Sequence, residues 1–245
     1  RNGSALPQHT QEGAGAKSKS ADVKHTIEVF TVSKRGKLTF DKTLEDPLLV
    51  SPNDVTAVGD DLLYVTNDHG ATEGFERTLE DYLRLPNGNV LYFDGTSFKV
   101  AYEGTRYANG ITSDGTSIWL AETTGLTVSR LTPSNPPGKL TLANAIDVRT
   151  GVDNLTIDED GALWFGAHPK LLQFVEHAKD PATNRSPSHV VRITGSNEKL
   201  ENRDLYMNLG DPLSGSSVAV HRDGLLFIGA VYDKAVLRCI GKRTK

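Results

Sequence analysis

Three times in this 245-residue chain an asparagine stands ten or eleven residues ahead of an aromatic at the centre of an apolar strand. Asn53 precedes Tyr64, Asn109 precedes Trp119 and Asn154 precedes Trp164; a fourth copy has Ser217 ahead of Phe227. Asp54 follows the first asparagine and Asp153 precedes the third. Oxygen-bearing side chains at the same structural point of successive repeats can converge, and converging oxygens can hold a metal ion or a polar ligand on an axis. Asn and Ser also begin strands after turns for purely local reasons. That reading suffices for any one copy; the phasing of the series favours a shared site.

The elements that would position these residues are short strands. From His25 onward, HTIEVFTVS alternates apolar and polar residues as a half-buried strand does. Strands and turns then follow one another with little helix. Turns are marked by Asn87-Gly88, Asp94-Gly95, Asp114-Gly115, Asp160-Gly161 and Asp223-Gly224, pairs that supply the positive φ of tight hairpins. One short helix is predicted over residues 75–85, where Phe75, Leu79, Tyr82 and Leu83 have helical spacing. The stretch from His177 to His189, with two prolines, reads as a loop, and residues 1–24 as a mobile tail or cleaved loop.

The repeat aromatics lie 55, 45 and 63 residues apart. Four-stranded units of roughly 40–50 residues mark β-propeller blades, and the longer intervals leave room for insertions. In such a ring the innermost strand of each blade lines the central channel. Residues 25–245 are therefore expected to form an all-β propeller as one domain. Tyr64, Trp119, Trp164 and Phe227 are expected in the blade cores.

Composition narrows the function. A net charge of −4 offers no electrostatic case for nucleic acid, and no apolar run approaches the roughly 18 residues of a membrane helix. Phosphate loops, zinc spacings and a G-x-S-x-G elbow are absent, so serine-nucleophile chemistry is not expected. The single cysteine, Cys239, cannot form a disulfide within the chain. It reads either as a small buried hydrophobe or as a bridge to another polypeptide. Sequons at Asn2, Asn154 and Asn184 would matter only in a secreted protein.

Read as whole phrases, the repeats resemble the paraoxonase/arylesterase family, calcium-dependent lactonases and esterases built as six-bladed propellers. The resemblance runs in order from His25 to Cys239. It is carried by LLVSPNDVTAVGDDLLYVTNDHG, YEGTRYANGI, GVDNLTID followed by LWFGAHP, and GSSVAV with LLFIGAVYDKAVLRC. It implies a catalytic Ca²⁺ held by Asn53, Asn109, Asp153 and Asn154, and a structural Ca²⁺ that uses Asp54. Calcium takes about 6–8 oxygen ligands, so an all-oxygen set with one carboxylate is chemically apt but incomplete.

The resemblance also places His69, of TNDHG, and His168, of GAHP, near the active site. His168 would donate a hydrogen bond to substrate or transition state; His69 would support the pocket or move protons, with Asp68 orienting it. Asp153 would serve as ligand and base, and Ser217 would line the substrate channel. His9, His25, His177, His189 and His221 have no such context and are expected at the surface. Asn154, as an implied ligand, is expected to stay unglycosylated.

The family's further acidic ligands, its other histidines and the cysteine that normally bridges to the counterpart of Cys239 have no match here. The expectation is that this chain supplies about four of six blades. An N-terminal fragment would complete the ring, as a second chain or a missing segment, with a disulfide through Cys239. The implied activity is calcium-dependent hydrolysis of lactones, with esters as further substrates, in the secretory pathway. The alternatives are a non-catalytic calcium-stabilised binding scaffold and an isomerase acting on a cyclic ester.

Overall fold

The computed structural model describes residues 24–195 and 199–240. The predicted tail, apart from Lys24, lies outside them, as does His9. Among the described residues five antiparallel sheets follow in chain order. A two-stranded pair, β1 (Thr26–Val32) and β2 (Leu38–Glu45), leads. Three four-stranded blades come next: β3 (Pro52–Gly59), β4 (Leu62–Asn67), β5 (Gly88–Phe93) and β6 (Phe98–Thr105); β7 (Ala108–Ser113), β8 (Ile118–Glu122), β9 (Thr127–Pro133) and β10 (Leu140–Asp147); β11 (Gly151–Ile157), β12 (Leu163–His168), β13 (Ser188–Gly195) and β14 (Leu200–Asn208). A three-stranded blade, β15 (Ser216–Arg222), β16 (Leu225–Ala230) and β17 (Val236–Ile240), follows. Helix α1 (Gly74–Leu83) joins β4 to β5, and α2 (Leu171–Lys179) joins β12 to β13.

The inner strands β3, β7, β11 and β15 contact one another in sequence, which is the propeller arrangement the repeat spacing predicts. Each gap between consecutive sheets holds one apolar cluster. Trp119 and Trp164 fill two of these gaps, and both indole N–H groups are latched in the same way. Trp119 Nε1 donates to Asp114 at 2.9 Å, and Trp164 Nε1 donates to Asp158 at 2.7 Å. An arginine lies over each ring, Arg130 at 5.6 Å and Arg192 at 5.5 Å. The same aspartates accept backbone N–H bonds from their hairpin turns, so one carboxylate ties turn to core.

Phe227 departs from its repeat. It is 37% exposed, because among the described residues no further sheet covers the outer face of the last blade. Val220 and Val236 are open there too, as are Phe30 and Phe40 on the leading pair.

Glycines at the predicted hairpin turns 94–95, 114–115, 160–161 and 223–224 adopt φ of 91°, 88°, 80° and 73°. Asn87-Gly88 is not such a turn. Gly88 opens β5, and a Cβ there would stand 2.5 Å from Thr105 Oγ1. The 177–189 stretch also differs from its reading as a loop. It begins inside α2, whose Leu171, Phe174 and Ala178 carry helical spacing, and it ends in β13.

Helix α1 lies close to its predicted bounds, but its apolar residues face outward: Phe75, Tyr82 and Leu83 are exposed. Polar contacts hold it instead. Glu80 is buried, accepting from Gly70 N and Asn87 Nδ2 at 3.0 Å each, and Arg77 Nη1 donates to Ser51 Oγ at 2.6 Å.

Candidate functional site

Each inner strand carries a register break at its phased polar residue. The breaks fall between Pro52 and Val55, Ala108 and Ile111, Val152 and Leu155, and Ser216 and Val218. A bulge leaves a residue off the ladder and re-aims its side chain. Asn53-Asp54, Asn109-Gly110, Asp153-Asn154 and Ser217 are the residues within those breaks. Periodicity had located them; the bulges explain how they leave the strand pattern.

Neighbouring blades meet closely at this level. A Cβ on Gly110 would lie 2.5 Å from the Asp153 carbonyl oxygen, and one on Gly166 would lie 2.4 Å from the Ser217 carbonyl carbon. Any side chain there would have to displace backbone, so these two glycines set the inter-blade spacing. Thr66 and Thr123 stitch the same level. Thr66 Oγ1 donates to the Asn109 carbonyl at 2.8 Å, and Thr123 Oγ1 donates to the Val152 carbonyl at 2.6 Å.

The candidate ligands differ in their partners. Asn109 is buried; its amide nitrogen donates to Thr123 Oγ1 at 3.0 Å, but its Oδ1 has no partner. A buried acceptor left bare is costly, and a cation would satisfy it. Asp54 accepts from Ile111 N and Val55 N, both at 2.8 Å, which ties β3 to β7. Burial raises its carboxyl above the ordinary range and the nearby charge of Asp153 adds to this, against those two hydrogen bonds. Asn53 is exposed and donates to Asp68 at 3.0 Å. Asn154 is half-buried and lies 3.4 Å from the Ser217 carbonyl. Ser217 itself is buried. Among the described residues no three His, Cys, Asp or Glu side chains form a metal cluster. Any ion here would depend largely on amide oxygens. An all-oxygen donor set with one bare buried oxygen fits a hard divalent cation such as calcium.

The two histidines stand in contrasting settings. His69 bonds Asp68 through Nδ1 at 2.6 Å and Asp81 through Nε2 at 2.9 Å, and Tyr107 packs edge-on at 4.8 Å. Burial alone would lower its pKa, but the two carboxylates outweigh that and raise it to about 9. Asp68 is lowered despite burial, through its bonds to His69, Ser51 and Asn53. His168 bonds Asp153 Oδ2 through Nε2 at 3.1 Å, leaving Nδ1 buried without a partner. Its ring stacks on Phe174 of α2, with centroids 3.6 Å apart.

Sequence reasoning missed Phe174 because it missed α2. It also misplaced two histidines, since His177 and His189 are buried. His177 bridges the Asn184 carbonyl at 2.5 Å and Ser214 Oγ at 3.3 Å, anchoring α2 to the last blade. His189 sits between Thr150 Oγ1 at 3.2 Å and Asp204 at 3.0 Å. His25 and His221 are half-buried, the latter stacked on Trp164 at 4.7 Å. Cys239 is a free, half-buried thiol on β17, opposite Leu226.

Comparison with known proteins decides the lineage of this arrangement. The family described as Arylesterase matches residues 18–240. The chain belongs to the arylesterase family. This arylesterase-family chain is 37% identical over 220 residues to human serum paraoxonase/arylesterase 2, covering 88% of this chain and 61% of that protein. It is 34% identical over 222 residues to human serum paraoxonase/arylesterase 1, with the same shares covered. It thus spans about three-fifths of the length of these relatives. Among solved structures, a luciferin-regenerating enzyme superposes with a TM-score of 0.51 at 12% identity, over 88% of this chain and 72% of that one. A hypothetical selenium-binding protein from Sulfolobus tokodaii gives 0.50 at 12% identity, over 84% and 51%. Such distant likenesses speak to the fold alone.

Proposed function

We propose that this protein is a calcium-dependent hydrolase of lactones, with aryl and other esters as further substrates. The reading is supported by family membership and, above all, by one juxtaposition. The bare Oδ1 of Asn109 and the Asp153–His168 pair belong to adjoining blades at the same end of the inner strands. Asn53, Asn109, Asp153 and Asn154 would hold the catalytic ion, and Asp54 a structural one. A calcium ion so held would supply Lewis acidity toward the substrate carbonyl and its oxyanion.

The protein's own residues do the rest. Asp153 accepts His168 Nε2–H through Oδ2, which fixes the imidazole tautomer and leaves a lone pair on Nδ1. That nitrogen can take a proton from the attacking water and return it to the leaving alkoxide. His69 has both nitrogens committed to carboxylates, which suits support of the pocket better than proton transfer. Ser217 would line the channel beside Asn154.

The relatives' greater length and the open apolar faces of the first and last sheets support a second part of the proposal. Further strands would complete the ring, from a preceding segment or a second chain, with Cys239 as a disulfide tether in an oxidising, secretory compartment. An intact mass showing this polypeptide alone in folded, active material would sink that part.

The activity is tested by following hydrolysis of a γ-lactone and of phenyl acetate while calcium is removed with a chelator and restored. Loss and recovery are expected. Full turnover after prolonged chelation would overturn calcium dependence, and no turnover of either substrate with calcium present would overturn the activity.

A further inference from the structure

Beside His168 the surface opens into a groove of about 300 Å³. Arg84, Arg149 and Lys170 line it together with Leu126, Thr150 and His168, and no carboxylate is among its lining residues. Three segments bring the cations together. Arg84 caps the C-terminus of α1, Arg149 lies between β10 and β11, and Lys170 precedes α2. Arg149 pairs with Asp147 at 3.9 Å, with both side chains exposed. Such a pair is weak. Arg84 and Arg149 also occupy left-handed backbone positions, φ 52° and 56°, where glycine would be less strained. His168 is the buried titratable member of this lining, and its Nδ1 has no partner.

We propose that this groove selects lactones or esters that carry an anionic substituent, which Arg84, Arg149 and Lys170 hold while the carbonyl lies beside His168. This rests on the hydrolase reading above and narrows its substrate class. The groove matches the lower end of small-ligand pockets in size, enough for a five-membered lactone bearing one carboxylate. Leu171 and Leu172 supply the apolar wall such a ring needs. Concentrated positive charge with little counter-charge attracts an anion over about a Debye length and weakens in salt. The chain's net charge of −4 makes this local excess of cations the more specific.

The test uses a matched pair: a γ-lactone bearing a 5-carboxylate, and the same lactone as its carboxamide. At low salt kcat/KM for the carboxylate is expected to exceed that for the carboxamide by roughly tenfold or more, and the preference should collapse near 0.5 M salt. Neutralising all three cations (Arg84→Asn, Arg149→Asn, Lys170→Gln) should abolish the preference mainly through KM, with the carboxamide rate unchanged within about twofold. Asn is chosen at the first two positions because it tolerates left-handed backbone. Equal use of both lactones by the unaltered protein, or parallel losses on both in the variant, would overturn the proposal.

A binding arm separates this outcome from failure of the hydrolase reading. Cyclopentanecarboxylate and cyclopentanecarboxamide, which cannot be hydrolysed, are titrated while the Leu171 and Leu172 methyl resonances are followed. Saturable binding of the carboxylate alone, lost in the triple variant, supports the groove even if no lactone is turned over. No binding, or equal binding of both probes, sinks it.

Discussion

His69 and His168 both lie at the end of the second strand of a blade, His168 as its last residue and His69 two residues beyond, and both are buried and meet an aspartate. They nevertheless differ in what remains available. His69 is closed on both sides by carboxylates and packed against Tyr107. His168 is closed on one side by Asp153 and braced by Phe174, with its second nitrogen bare. Burial and a carboxylate partner therefore do not by themselves make a histidine reactive. An imidazole held as a cation between two carboxylates stabilises its surroundings; one with a free lone pair can exchange a proton.

Substitutions can break this contrast. The largest effect is expected from Asp153→Ala, which removes both the fixing of His168 and a proposed ligand. Its kcat/KM on phenyl acetate should fall about a hundredfold or more, within the range general acid–base and metal-assisted steps command. His168→Gln should cost roughly ten- to a hundredfold on the same assay with little change in urea midpoint. His69→Gln should reverse the pattern, losing about 2–3 kcal/mol of stability because Asp68 and Asp81 are left facing an uncharged partner. Equal activity losses in the two histidine variants would end the distinction.

A pH experiment sharpens it. The folded-state pKa of His69 lies above its unfolded value, at about 9 against 6.5. Its contribution is therefore fully present below pH 6.5 and is lost as pH rises through 9, a change of roughly 2–3 kcal/mol by linkage. Urea unfolding at pH 6.5 and 9.5 should show that loss in the unaltered protein and little of it in His69→Gln. The smallest effect is expected from Ser217→Ala, within about threefold in kcat/KM. A Ser217 loss as large as that of His168→Gln would move the reactive centre toward the last blade.

The blades were legible because their signals are local. Alternating apolar residues, Asp-Gly turns and a repeated aromatic each act within a few residues, and the repetition multiplied them. The helix α2 was obscured by the prolines just beyond it, and with it went Phe174. The burial of His177 and His189 was hidden because their partners, Ser214, Thr150 and Asp204, lie 15 or more residues away in sequence. Phe227 shows the opposite limit. Its repeat position predicts burial, but burial also requires a neighbouring sheet, which no local pattern can report. At the site, spacing revealed which residues share a level; it could not reveal that the Asn109 oxygen and His168 Nδ1 are the atoms left bare.

The bulges at the four inner strands have a consequence for how such a protein can change. Within each register break the phased residue has no opposite number on the second strand of its blade. Exchanging its side chain therefore breaks no pair of the ladder, and what must adjust is confined to the few side-chain bonds it makes, such as Asn53 to Asp68 and Asn109 to Thr123. The ring amounts to a set of interchangeable sockets on a fixed frame. New combinations of amide, hydroxyl and carboxylate can be tried one strand at a time while the fold stays intact.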